Sequence, residues 1–269
     1  MLKKIAIAFG CIILLVFLYF CLAFFGNPVS EMLVTKNAKE YIQEKYPNEN
    51  YTVDYVAYDF KTSDYHVAVV SPDGVDRHFS LRGSWGGRIT FDTYESSVAE
   101  KWNTAMRLDD EYRKAVDAVF ESEAFLYKTE YAFGEIIFAD SDYPAEESVP
   151  NYAIPNDSLI LDAEYDIYEM GKKAGCITLL AYDKDVSAEK LSAILLAVKE
   201  LMDEKNVGFK AINCILGYTE PEGDGPFKEE WAEVKNFLYE DIHSDGLTER
   251  VKSACEEASE YYVKLDAQK

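Results

Sequence analysis

Three histidines come first, because general acid–base and metal chemistry near neutral pH most often recruit imidazole. His66 and His78 fall in "DYHVAVVS" and "VDRHFSLR", two runs that read as adjacent strands. A four-residue loop from Ser71 to Gly74 sets Val67 opposite His78. The two imidazoles are then expected on opposite sides of the sheet, as surface or partly buried histidines; a one-residue slip of register would bring them together in a joint site. His243 is expected at a helix C-terminus, where a positive charge complements the dipole.

The other chemistry-bearing stretches are weaker. Gly83-Ser84-Trp85-Gly86-Gly87 is not the G-x-S-x-G turn of a serine hydrolase, and its glycines suit a hairpin bend. Glu220, Glu222, Asp224 and Gly225 in "EPEGDGPFKEE" echo the start of a calcium loop, but Trp231 stands where the bidentate glutamate belongs. Cys176, Cys214 and Cys255 follow the N-terminal apolar segment at wide spacing with no C-x-x-C pair, so neither a disulfide framework nor a zinc site is implied, though one bridge stays open. No phosphate-binding glycine motif occurs. With 49 acidic residues, any single carboxylate pair is uninformative as a glycosidase signature. The expectation is no catalytic, cofactor-binding or metal-ligating residue, and no cofactor.

The elements that would carry such residues are clearer. Asn27-Pro28 is a helix start, with an oxygen to accept from free first-turn amides and a proline at the first helical position. The helix should run to Tyr46 on a stripe of Val34, Ala38, Tyr41 and Ile42, and Pro47 stops it. Four strand-like runs follow with short turns between them, which forces an antiparallel meander. Alternating Val75, Phe79, Leu81, Ile89 and Phe91 suggest one buried and one wet face.

After Tyr94 the period moves toward 3.6. Ser97 with Glu100 reads as a capping box, Val98, Trp102, Ala105, Tyr112, Val116 and Val119 make a helical stripe, and Asp109 caps a second helix after a break near Leu108. A strand "FGEIIFA" and a long connector from Asp140 to Asp157 come next. "CITLLAYD", a helix from Ser187 to Lys205 and "FKAINCILGY" form a βαβ unit with parallel strands. Two amphipathic helices are expected to close the chain, one on Trp231, Val234, Leu238 and Ile242, the other on Leu247, Val251, Ala254, Ala258 and Leu265.

Ile5 to Phe25 contain no charge, and at 1.5 Å per residue they reach about 31 Å, the thickness of a bilayer's hydrocarbon core. A retained span fits best. Ala23-Phe24-Phe25-Gly26 is bulky for a cleavage site, and Cys11 and Cys21 are poorly placed for acylation, the two alternatives. Lys3 and Lys4 precede the span, which puts the N-terminus in the cytoplasm and the bulk outside, with the cell membrane as the location. All 49 acidic residues but only 25 of the 27 basic ones follow the span. Such a charge argues against nucleic acid as a partner and for solubility, or for attraction of cations or basic partners.

"GNPVSEMLVTKNAKEYIQEKYP" after the span, the meander, "NTAMRLDDEYRKAVDAVFES" and "VKELMDEKNV" together resemble the YfjL-like proteins of Gram-positive bacteria. That family has no assigned function; the resemblance implies a membrane anchor with an N-terminal and a C-terminal domain, and carries no active-site motif. The helix-plus-meander also resembles cystatin and PepSY domains at the level of fold alone. The expected fold is α+β: tail and transmembrane anchor over 1–26, helix plus β-meander over 27–95, and a C-terminal α/β domain with a βαβ unit over 96–269. The expected function is a single-pass membrane protein, held by residues 5–25, displaying a non-catalytic ectodomain that binds a protein, peptide or envelope component. An extracytoplasmic hydrolase and an accessory subunit of a membrane complex are the alternatives.

Overall fold

The structure, a computed structural model, describes residues 2–122, 124–139, 149–218 and 230–266. It begins with an apolar helix α1 (Leu2–Phe25) and, after Gly26 and Asn27, a second helix α2 (Pro28–Lys45). Asn27 Oδ1 accepts from Val29 N at 3.0 Å, the cap that the sequence signals.

The chain divides into two compact units, one of residues 1–104 with 160–163, the other of 105–159 with 164–269. In the first, strands β1 (Thr52–Asp59), β2 (Asp64–Val70), β3 (His78–Gly83) and β4 (Ile89–Asp92) form an antiparallel meander in chain order. Tyr65, Val67, Val69, Phe79 and Leu81 bury one face of it together with Val34, Ala38 and Ile42 of α2. Gly83 lets α2 approach, since a Cβ there would lie 2.6 Å from Val34 Cγ1.

Two expected core positions are on the surface: Val75 is 70% exposed and Phe91 56%. Val75 sits in the loop after β2, and Phe91 pairs with Arg82 on the open face of the sheet, where the guanidinium lies 6.0 Å from its ring. A register shift between Arg82 and Gly83 breaks the simple alternation in β4.

The sequence places a helix break near Leu108, and the structure moves it upstream. Residues Glu95–Ala99 form a short π-helical turn, Lys101 adopts φ +60°, and α3 then runs unbroken over Trp102–Phe120. Ser97 donates its hydroxyl to Thr93 Oγ1, and the Glu100 amide that a capping box would give to Ser97 goes to Glu95 O. Asp109 caps nothing; its Oδ1 accepts from Ile136 N at 2.7 Å. Ala105, Leu108, Tyr112, Val116 and Val119 are the buried stripe, and Trp102 is 49% exposed.

The second unit holds a four-stranded sheet in the order β10-β9-β8-β5. Strand β5 (Lys128–Ile136) is antiparallel to β8 (Gly175–Asp183), which is parallel to β9 (Ala211–Tyr218). Helix α5 (Ala188–Glu204) joins those two strands, with Ser187 as its cap. Short strands β6 (Phe138–Ala139) and β7 (Ile154–Pro155) pair in parallel, and α4 (Ile167–Ala174) leads into β8. The rest of the expected connector, 140–148, lies outside the described residues.

The segment expected as a helix on Trp231, Val234, Leu238 and Ile242 is a strand, β10 (Trp231–Leu238), antiparallel to β9. The reason is a bulge. Val234 opposes Cys214 and Phe237 opposes Ile212, so three steps along β10 match two along β9. The inserted residue brings Val234 and Phe237 to the same buried face at a spacing that imitates a helix. The last helix, α6 (Leu247–Asp266), buries Leu247, Val251 and Ala258 as the spacing predicts.

Candidate functional site

The histidines do not converge. Val70 opposes His78 and Leu81 opposes Val67, a register different from the one expected, because the loop after β2 extends to Arg77. His66 and His78 thus share the open face of the sheet, four residues apart along the strands, about 13 Å. His243 follows β10 and a short 3-10 turn rather than a helix, and its carbonyl accepts from Arg250 Nη2 at 2.8 Å. The glycine stretch is a hairpin bend, with Gly87 at φ +83° and Gly87 N donating to Ser84 O. Glu220, Glu222, Asp224 and Gly225 of the calcium-like run fall within 219–229, outside the described residues.

Asp59, Asp64 and His66 at the β1–β2 hairpin offer three ligand atoms within 4.8 Å of one another. The set is already engaged: Asp59 Oδ1 accepts from Lys61 N, which holds its carboxyl below the usual range, and Asp64 lies 3.9 Å from Arg82 Nη1. An arginine at that distance supplies the positive charge that a metal would bring.

A group of perturbed residues in the second unit is one that the sequence reading missed. On the sheet face of the second unit turned away from Ile177 and Leu179, Glu135 pairs with Cys176 across β5 and β8. Asn213 reaches Cys176 Sγ at 3.3 Å from β9, and its Oδ1 accepts from Asn236 N at 2.8 Å. Asn236 has φ +47° at the β10 bulge, and its side chain accepts from Tyr152 Oη at 2.9 Å. The sequence signal was available: Glu135 and Asn213 are polar residues inside apolar strand runs.

Burial raises all the titratable members. The Cys176 thiol is pushed up to about 12 by burial and by Glu135. Glu135 is raised by burial and by Asp109, and Asp109 by burial despite the Ile136 amide and Arg113. A thiol so displaced stays protonated and is a poor nucleophile. Asn213 satisfies the amide that the bulge removes from the ladder. These contacts brace the irregular strand at the bulge.

An open groove in the second unit has different chemistry. It encloses about 430 Å³ between residues 124–127 and α5, with Phe125, Leu126, Tyr127 and Leu201 among its walls and Glu200 and Glu204 on them too. Leu126 is 89% exposed. Phe125 packs on Phe120 and Tyr127, which fixes an aromatic floor.

All five cysteines are free. Among the described residues one helical stretch is long and apolar enough to cross a membrane, and it is N-terminal. Two family models match the chain: "YfjL-like, N-terminal domain" over residues 1–93 and "YfjL-like C-terminal domain" over residues 111–252. No curated protein and no solved structure matches.

Proposed function

The chain belongs to the YfjL-like family, and on that premise we propose a single-pass membrane protein that displays a non-catalytic, binding ectodomain on the outer side. One observation carries the reading: every residue of α1 from Phe9 to Phe20 is exposed, with Leu14, Leu15 and Phe17 each above 60%. An apolar surface of that extent supports a lipid-facing span. Lys3 and Lys4 before it, and no basic residue from Gly26 to Val34 after it, support a cytoplasmic N-terminus.

The ligand reading rests on the groove by α5. Its aromatic and aliphatic walls suit one apolar side chain, and Glu200 and Glu204 suit a neighbouring lysine or arginine, so the occupant is a segment of protein or peptide carrying both. The formal charge of −22 favours such a partner over nucleic acid.

The test is a photo-crosslinking amino acid at Ala197 in the full chain in cells. A discrete adduct that disappears in the Glu200→Lys/Glu204→Lys double variant supports the groove. An adduct pattern unchanged by that variant, or none, contradicts it.

A further inference from the structure

Only Gly26 and Asn27 separate α1 from α2, so the first unit has no stalk. The junction is fastened. Tyr65 Oη accepts from Asn27 N at 2.7 Å and donates to Asn27 O at 2.9 Å. Gly26 has φ +76°, and a Cβ there would stand 2.8 Å from the Tyr58 side chain, so the sheet approaches the helix end more closely than any side chain permits.

This attachment places the β1–β2 hairpin tip. Phe60, 53% exposed, has its ring 5.9 Å from that of Phe24 in the last turn of α1. If α1 fills the hydrocarbon core, Phe24 marks its boundary, and the headgroup layer beyond is about 5–8 Å deep on each side. A ring that close to Phe24 falls within the layer. Lys61, exposed beside Phe60, supplies a cation for lipid phosphates.

Helix α2 adds a second apolar stripe. Its buried positions are Ser30, Val34, Ala38 and Ile42, while Val29, Met32 and Leu33, spaced i, i+3, i+4, are 62%, 73% and 42% exposed. The core of the unit does not use them, and they follow the span by one to two turns. Apolar residues in that position with a nearby lysine match the composition of an interfacial segment.

We propose that the β1–β2 hairpin tip and the first two turns of α2 are embedded in the headgroup layer of the same bilayer that α1 crosses, seating the first unit directly on the membrane surface. The inference rests on reading α1 as a span.

The experiment uses the full chain with Trp85, Trp102 and Trp231 replaced by phenylalanine, in vesicles of phosphatidylcholine and phosphatidylglycerol. Single tryptophans are restored as Phe60→Trp, Met32→Trp, Leu15→Trp or Val75→Trp. Val75 lies at the far end of β2, about 20 Å from the tip. The account expects brominated lipids to quench tryptophan at 15, 60 and 32, and iodide in the water to quench positions 60 and 32 about threefold less than 75.

Quenching by brominated lipid at 15 alone, with 60 and 32 as open to iodide as 75, leaves the span standing and overturns the seating. Shielding of 60 and 32 from iodide without quenching by lipid also overturns it, since another protein surface then covers them. No lipid quenching at 15 overturns the span and the seating together. Met32→Trp keeps the test valid if Phe60→Trp disturbs the hairpin.

Discussion

Asp92 in the first unit and the Asp109–Glu135 pair in the second are all partly withdrawn from water and titrate in opposite directions. Burial pushes the Asp92 carboxyl up, but its donors outweigh that: Lys45 Nζ at 2.6 Å, Tyr41 Oη, Tyr46 Oη at 3.0 Å and Tyr94 N at 3.0 Å. The net shift is downward. Asp109 has the Ile136 amide and Arg113 at 3.5 Å, Glu135 has Asp109 as a like-charged neighbour, and both are raised. The supply of hydrogen-bond donors separates the sites: Asp92 gathers four, the pair far fewer. Asp92 fastens α2 to β4; the other pair is a cost that the second unit carries.

The largest expected effect is on the first site. Asp92→Ala removes the acceptor of the Tyr41 and Tyr46 hydroxyls and the Tyr94 amide at a side chain only 7% exposed, while Lys45, 50% exposed, turns to water; it should lower unfolding free energy by about 2–4 kcal/mol in a denaturant titration. A loss below about 0.5 kcal/mol would erase the contrast between the two sites.

Asn213→Ala removes the partner of the Asn236 amide and should cost about 1–3 kcal/mol. Hydrogen exchange should then quicken around the β10 bulge but not in β1–β4. Uniform quickening across both sheets would mean that the bulge is not what Asn213 holds.

Smaller, and opposite in sign, is Glu135→Gln. A raised folded pKa contributes stability that is present below the unfolded value of about 4.5 and lost as pH rises through the folded value, so ionised Glu135 opposes folding at neutral pH. The variant should melt about 1–3 °C higher at pH 7 and match the parent near pH 4. Asp92 runs the other way: its lowered folded pKa gives stability that is full above about 3.8 and lost as pH falls through the folded value. Asp92→Asn should therefore differ most from the parent at neutral pH and least near pH 2. Equal midpoints for Glu135→Gln at pH 7 would contradict the assigned cost.

The meander was legible because its connections are short and its strands neighbour each other in chain order, so turn residues alone dictate pairing. Its register was not, since the loop at Ser71–Arg77 is longer than Pro72-Asp73-Gly74 suggests, and that error moved His78 to the wrong face. In the second unit the β8–α5–β9 unit could be read from one apolar helix stripe between two apolar runs. β10 could not, because its bulge lends a strand the spacing of a helix. The polar cluster around Asn213 was legible only in part: Glu135 and Asn213 stand out as polar residues in apolar runs, but Glu135, Tyr152, Cys176, Asn213 and Asn236 come from five separated segments, and only the fold brings them together.

The account rests most heavily on α1 as a retained span with the acidic bulk beyond it. Intact cells carrying the full chain with a C-terminal epitope should lose that epitope to added proteinase, while alkaline carbonate leaves the undigested protein in the membrane pellet. An epitope that survives on intact cells but not on lysed ones, or release of the whole protein by carbonate, would contradict it.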